Sequence, residues 1–298
     1  MWQGIGYTIP QQIGTQPGIG PNTNGFAFRF VKEFDSWFEA SNVSVADYTD
    51  LAVSCWIKID SDFFVDFTPP APGEPDPPFQ FKHILDKYDF TGGIPRGYRL
   101  YLEKKYNSQS ESTARRLIWQ IGFGGNTNPN QAKLLMDITS LSANTVYLVQ
   151  ASVDGTIMDL KLIGDGVQLS SSLTANEPMD PSTTRLVIGN ANPNSTAAEF
   201  EGDIDEVAIW EKVIVTDNGI EEVFDWPNNK NLNTNTNYGQ PDLWWQMGEN
   251  ASIVVVNNQD EYELPNIGTY NSTVSSLTGT GTIDKRITPG LPNELYNN

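Results

Sequence analysis

Between Gly202 and Trp210 the chain reads GDIDEVAIW, and its apolar residues change phase in mid-run. Side chains on a strand alternate between faces with a period of two, so Ile204 and Val207, three apart, cannot share a face in an unbroken strand. One extra residue near Asp205 and Glu206 restores the phase and turns Ile204, Val207 and Ile209 inward, so the sequence predicts a β-bulge there. Past Trp210 the pattern becomes helical. Thr216 or Asp217 is placed as N-cap, and Ile220, Val223 and Phe224 form one apolar face of a short helix over 217–224.

The other signals are strands. Phe26, Phe28 and Phe30 alternate with Ala27 and Arg29, and Leu51, Val53, Cys55, Ile57 and Ile59 alternate through LAVSCWIKI. Strand patterns follow at FKHILDKYD, GYRLYLEKKY, RRLIWQIGF, AKLLMDIT and TRLVIGN, separated by Gly, Asn and Pro turns. VYLVQASV and IMDLKLI flank Asp154-Gly155, a tight-hairpin signal. The segment DFTPPAPGEPDPPF, Asp66 to Phe79, is too rich in proline for a sheet interior and must project as a loop, with Phe63, Phe64, Phe67 and Phe79 available to staple it to the body. Many short strands with one short helix and no strand-helix alternation predict an all-β, antiparallel two-sheet sandwich.

Three parts are expected: an extended N-terminal arm over residues 1–24, the sandwich over 25–226, and a C-terminal extension over 227–298 with at least one added strand. The arm is rich in Gly, Pro, Gln and Asn without any period, and its Trp2, Tyr7 and Ile13 are the candidate docking residues. In the extension, Leu243, Trp245 and Met247 alternate inward as one more strand, and past Tyr270 the Ser, Thr, Gly and Asn content predicts a loosely packed segment or a surface for another subunit.

Composition removes several function classes. The chain of 298 residues carries 18 Lys+Arg against 37 Asp+Glu, a net charge of −19, with no basic cluster, so nucleic acid is not an expected partner. Cys55 is the single cysteine, which precludes an internal disulfide and a multi-cysteine zinc site, and its place in LAVSCWIKI marks it as a buried apolar side chain. His83 is also single, and without a nucleophile elbow it reads as structural. The N-terminus has no basic region followed by an apolar run, and no 18-residue apolar stretch occurs, so neither a signal peptide nor membrane insertion is expected. The sequons at Asn42, Asn194, Asn250 and Asn271 are read as chance in an Asn-rich chain.

The order of motifs over roughly residues 25 to 225 resembles the laminin-G-like, concanavalin A-type jelly rolls: a Phe-x-Phe strand, then VSCWIKI, HILDKYD, GYRLYL, a hairpin with an Asp-Gly turn, LVIGN, and the Gly-x-Ile-Asp-Glu-Val strand with its helix. One departure falls in the hairpin region, where Asn-Thr-Val-Tyr, Asn144 to Tyr147, stands in place of the Trp-His pair often found in that family. DLWWQMGEN, followed by NIGTYNSTVSS, resembles a segment that precedes or links laminin-G-like repeats in marine bacteriophage virion proteins.

Three chemistries are weighed on this scaffold. Glu201, Asp203, Asp205 and Glu206 superficially match the Glu-x-Asp-x-x-Glu pattern of retaining glucanases, whose two carboxyl groups must converge at about 5 to 5.5 Å. Glycine at 202 departs from that pattern, and no catalytic site is expected. The family resemblance admits a structural calcium ion, with Asp60, Asp62 or Asp203 as candidate ligands, and requires no cofactor. It also admits sugar binding if Tyr98, Tyr101, Tyr106, Trp119 or Trp210 is exposed, although aromatics in a sandwich are more often core. The resemblance as a whole implies a non-enzymatic virion structural protein made in the host cytoplasm: a capsid decoration, head-fibre or tail-associated subunit. Its implied partners are other virion proteins, copies of itself and a host surface glycan. The alternatives are a carbohydrate-binding lectin or adhesin and, less favoured, a β-glucanase.

Overall fold

A computed structural model describes residues 27–30, 36–40, 44, 46–71, 73–125, 130–191, 198–211, 240–247, 252–256, 259–269, 277–280 and 282–284. Trp2, Tyr7 and Ile13 of the arm, Phe26, the helix expected over 217–224 and all four sequon asparagines lie outside the described residues.

The alternating patterns become strands. In chain order they are β1 (Ala27–Phe30), β2 (Trp37–Ala40), β3 (Leu51–Ile59), β4 (Gln80–Asp89), β5 (Arg96–Asn107), β6 (Ser112–Phe123), β7 (Gln131–Asp137), β8 (Val146–Asp154) and β9 (Ile157–Gly164). They continue as β10 (Val167–Thr174), β11 (Val187–Ile188), β12 (Gly202–Trp210), β13 (Leu243–Trp245), β14 (Ser252–Val256), β15 (Gln259–Leu264), β16 (Leu277–Thr280) and β17 (Thr282–Asp284). A single helical turn, α1 (Ser61–Phe64), leads into the proline-rich loop.

Two antiparallel sheets face each other. Sheet A runs β10-β9-β8-β3-β12-β1-β17, with β13 added alongside β12, and sheet B runs β14-β15-β16-β2-β11-β4-β5-β6-β7. This is the expected concanavalin A-like jelly-roll sandwich. The core fills the space between the sheets, where Leu51, Val53, Cys55, Ile57 and Ile59 of β3 meet Leu100 and Leu102 of β5 and Leu117, Trp119 and Ile121 of β6. The Trp119 indole crosses this space and donates to Ser152 O on β8 at 3.0 Å, tying one sheet to the other. Each such large apolar side chain contributes on the order of 1.5 to 3 kcal/mol by leaving water.

Strand content at the C-terminal end exceeds what the pattern suggested. Leu243, Trp245 and Met247 are buried in the core as expected, and β14 to β17 were not signalled. Past Tyr270, β16 pairs with β2 and β17 pairs with β1, so this end of the chain adds to both sheets next to the N-terminal strands. β15 to β17 are polar and weakly alternating and carry little hydrophobic periodicity, and the serine-rich β10, VQLSSSLT, escaped notice for the same reason; β14, SIVVV, is a short apolar run without alternation.

The proline-rich loop is held differently from the expectation. Phe63 is buried, Phe64 and Phe67 are half-buried, and Phe79 is exposed. The main fastening is polar: the buried Arg115 donates to Phe63 O at 3.2 Å, Phe64 O at 2.5 Å and Asp66 Oδ1 at 2.6 Å. Phe67 N donates to Thr113 Oγ1 at 2.9 Å, and the Lys104 ammonium lies 4.6 Å from the Phe67 ring centre. Prolines remove donors from the loop, and one guanidinium satisfies several of its acceptors at once.

Candidate functional site

The acidic strand β12 forms the bulge the sequence requires. Asp205 lies opposite Trp56 and Ala208 opposite Ser54, so Glu206 and Val207 together face Cys55 alone. Glu206 occupies the left-handed region at φ 49°, which absorbs the extra residue, and Ile204, Val207 and Ile209 all enter the core. On its other edge β12 pairs with β1 through Gly202 to Ile204 and with β13 through Val207 to Ile209, so Glu206 falls between two partner strands.

Each carboxylate of the motif is engaged. Asp203 is buried and accepts from Arg29 Nη1 at 3.1 Å, with Lys58 Nζ 3.5 Å from its other oxygen. Burial pushes the Asp203 carboxyl above the ordinary aspartate value, more than Arg29 and Lys58 draw it down. At Arg29 burial acts downward, but attraction to Asp203 and Asp60 outweighs it and the guanidinium is raised. Asp205 Oδ1 accepts from Glu206 N at 2.8 Å. Glu206 accepts from the Trp244 indole and from Gln246 Nε2, the latter at 3.4 Å.

Glu201 does not share a face with the others, contrary to simple alternation. It precedes the strand and pairs with Lys82 of sheet B. Gly202 causes the break: its φ is +143°, and a Cβ there would come within 2.0 Å of Lys58 O. The glycine that departs from the glucanase pattern is thus demanded by close backbone approach.

The candidate calcium ligands do not fit a cation. Arg29 Nη2 holds both oxygens of Asp60, at 2.7 and 2.5 Å, while its Nη1 holds Asp203, so a guanidinium fills the space between them. Asp62 is exposed on α1, and among the described residues no three His, Cys, Asp or Glu side chains converge as a metal site would require.

Tyr98, Tyr101, Tyr106, Trp119 and Trp210 are all buried, which corrects the idea that one of them offers a free stacking face. Tyr98 and Trp119 belong to the core between the sheets. Trp210 belongs to a second cluster on the outer face of sheet A, with Ala52, Trp56, Leu148, Ala208 and Trp244. Cys55 is buried as expected, and burial pushes its thiol up to about 12.

Sequence reasoning missed a cluster on the outer face of sheet B. Leu100 and Leu102 point into the core, so Arg99 and Tyr101 point out, as does Gln120 between Trp119 and Ile121. Gln120 is fully buried and acts as hub: its Oε1 accepts from Tyr101 at 3.0 Å and from Arg99 at 3.1 and 3.0 Å, and its Nε2 donates to Tyr88 Oη at 2.9 Å and Gln131 Oε1 at 2.7 Å. The Arg99 guanidinium lies 4.5 Å from the Tyr88 ring centre and 5.0 Å from that of Tyr101. His83 stacks on Tyr101 at 4.9 Å, with Nδ1 2.9 Å from Asp86 Oδ2, a structural setting as expected. The signal available was an outward Arg on one strand and an outward Gln on the next, but it needs the register Arg99↔Gln120, which a single strand does not reveal.

From Tyr101 an aromatic ladder continues through Phe81 at 5.9 Å to Phe79 at 6.3 Å, where the Lys105 ammonium lies 4.7 Å from the Phe79 ring centre. Beside it, at the β5–β6 hairpin, is a polar depression of about 380 Å³ lined by residues that include Asp76, Lys105, Tyr106, Ala114 and Arg116.

Residues 74–218, which hold β4 through β12, match a laminin G family model described as the concanavalin A-like lectin/glucanases superfamily. β1 to β3 and β13 to β17 complete both sheets outside that match. Among solved structures, domains LG4-5 of the mouse laminin alpha1 chain are similar at 11% identity over 62% of this chain and 40% of that one, with a TM-score of 0.40. Tailspike protein 2 of the Escherichia coli O157:H7 bacteriophage CAB120 is similar at 11% identity over 62% of this chain and 22% of that one, with a TM-score of 0.41. A heptameric SAP-like pentraxin from Limulus polyphemus is similar at 11% identity over 93% of this chain and 94% of that one, with a TM-score of 0.39. A search of curated proteins found no match.

Proposed function

We propose that this chain is a non-enzymatic structural protein of a bacteriophage virion, made in the host cytoplasm and assembled with other virion proteins and with copies of itself as a capsid decoration, head-fibre or tail-associated subunit. The observation that carries this reading is the place of the segment resembling phage virion proteins. Its described part sends Leu243, Trp245 and Met247 into the core and lays Trp244 over the outer face of sheet A. The segment is therefore integral to the sandwich, so the resemblance concerns the same folded body as the concanavalin A-like match. The engagement of Asp203, Asp205 and Glu206 in structural contacts supports the non-enzymatic part, and the protein requires no cofactor. Trp2, Tyr7 and Ile13 dock the N-terminal arm on a neighbouring subunit.

The test is antibody labelling of purified particles together with deletion of residues 1–20. Labelled particles, and a truncated protein that unfolds at the parent temperature but no longer joins particles, are expected. Unlabelled particles overturn the virion role, and a truncated protein that assembles normally overturns the docking role.

Host glycan binding is a second reading, favoured by Phe79, which is 48% exposed beside the polar depression. Binding on a glycan array that is lost in Phe79→Ala supports it, and no binding by the parent protein removes it.

A further inference from the structure

The polar hub on the outer face of sheet B fills its acceptors and keeps a surplus of donors. Gln120 Oε1 accepts from Tyr101 and Arg99, and Gln131 Oε1 accepts from Gln120 Nε2 at 2.7 Å and from Tyr88 Oη at 2.6 Å. Three groups are left over: Gln131 Nε2, the ammonium of Lys133, and Nη1 of Arg99, whose Nε and Nη2 are both directed at Gln120. Among the described residues none of the three meets an acceptor, and all of them are donors.

Register brings them together. Gln120 lies opposite Arg99 on one side and Lys133 on the other, so the two cations flank it in one row, their Cα atoms about 9.5 Å apart. Leu134 and Met136 point into the core, so Lys133 and Leu135 point out with Arg99. Partial burial, and next the charge of Arg99, lower the Lys133 ammonium from its ordinary value, while Glu103 acts the other way.

In a chain with 37 acidic and 18 basic residues a cation readily finds a carboxylate, as Lys58, Lys82, Arg115 and Arg185 do. Among the described residues neither Arg99 nor Lys133 is paired with one. Asp86, opposite Arg99 in register, is engaged by His83 Nδ1 at 2.9 Å and by Tyr88 N at 2.9 Å. The fold thus holds two like charges side by side, an arrangement that an anion between them relieves. Arg99 is already fixed by Gln120 and by the rings of Tyr88 and Tyr101, so a ligand has little to order there. Two residues along β7 from Lys133, about 7 Å away, Leu135 is 44% exposed and offers an apolar shelf.

We propose that this row binds an acidic sugar, its carboxylate between Arg99 and Lys133 and the C–H face of its ring on Leu135. Inorganic phosphate has no apolar face to set on Leu135. A densely charged polyanion is repelled by the net charge of −19, so the fitting ligand is a uronic acid within an otherwise neutral glycan. The kind of ligand rests on the glycan reading above, but the site is separate from Phe79: Lys105, which lies over that ring, is six residues along β5 from Arg99, about 20 Å away.

The full chain is titrated calorimetrically with a trisaccharide carrying one glucuronic acid, with its glucose counterpart and with inorganic phosphate. Saturable binding of the glucuronate is expected, with the other two about tenfold weaker or more. Lys133→Met, at an exposed position, should keep the parent's unfolding midpoint and lose about tenfold in glucuronate affinity, Lys133→Arg should restore it, and Phe79→Ala should bind as the parent does. In the parent, the glucuronate should also slow acetylation of Lys133, read by mass spectrometry, and this measurement decides should Lys133→Met fail to fold. No preference for glucuronate over glucose, phosphate bound as tightly, unchanged binding by Lys133→Met, or unslowed acetylation overturns the proposal. Neutral glycans bound by the parent and lost in Phe79→Ala, without a preference for glucuronate, overturn this site and keep the Phe79 reading. Glucuronate bound equally by Phe79→Ala does the reverse.

Discussion

On sheet A the face turned away from the core is covered: Trp56, Ala208 and Trp210 lie in a cluster with Trp244, and Glu206 receives the Trp244 indole. On sheet B the corresponding face holds its polar hub closed with Arg99 over two tyrosines, but leaves Phe79 and Leu135 exposed. The acidic strand lies on the covered side and the exposed Phe79 lies on the other. A motif shared with glucanases at the level of residue types therefore serves, in this chain, to fasten strands and a C-terminal segment.

The largest expected effect separates the two faces directly. Trp244→Ala should destabilise the protein by about 3 to 5 kcal/mol, because it empties a buried site and removes the indole donor to Glu206. Phe79→Ala should cost no more than about 0.5 kcal/mol. Urea unfolding of both variants measures the contrast, and equal losses would break the comparison. A smaller effect is expected at the hub of sheet B. Gln120→Ala leaves the buried Tyr101 hydroxyl without its acceptor and should cost about 1 to 3 kcal/mol, again read from the unfolding midpoint. A loss near zero would mean that Arg99 and Tyr88 close the gap.

The smallest effect is a pH dependence at Asp203. Its folded carboxyl titrates above the ordinary aspartate value because of burial, so the contribution of this group to stability is fully present below the unfolded value, about 3.9, and is lost as pH rises through the folded value. Asparagine is fixed in the neutral form. Relative to the parent, Asp203→Asn should therefore become more favourable between about pH 4 and pH 7, measured as the difference in unfolding free energy. A shift the other way would show that Arg29 and Lys58 outweigh burial.

Where apolar periodicity was strong, the sequence was sufficient. The bulge at Asp205 and Glu206, the inward faces of β3 and β13, and the buried Cys55 follow from spacing alone. What stayed hidden depends on long-range register or on polar pairing. The hub at Gln120 draws on Tyr88, Arg99, Tyr101 and Gln131, which come together only when four strands align. Arg29 shows why single residues misled: Asp60 and Asp203 look like free acidic ligands until the arginine of β1 is placed between them. Aromatics were ambiguous for another reason. Trp210 lies on the outer face of a sheet, and only the segment that returns with Trp244 decides that it is buried.

The central proposal is that the carboxylates of the acidic strand do structural work and no hydrolysis. The most direct test is release of reducing ends from laminarin by the purified full chain, assayed beside Glu201→Gln and Glu206→Gln. The account predicts no release above the enzyme-free control for any of the three proteins. Hydrolysis by the parent protein that disappears in either variant would contradict it.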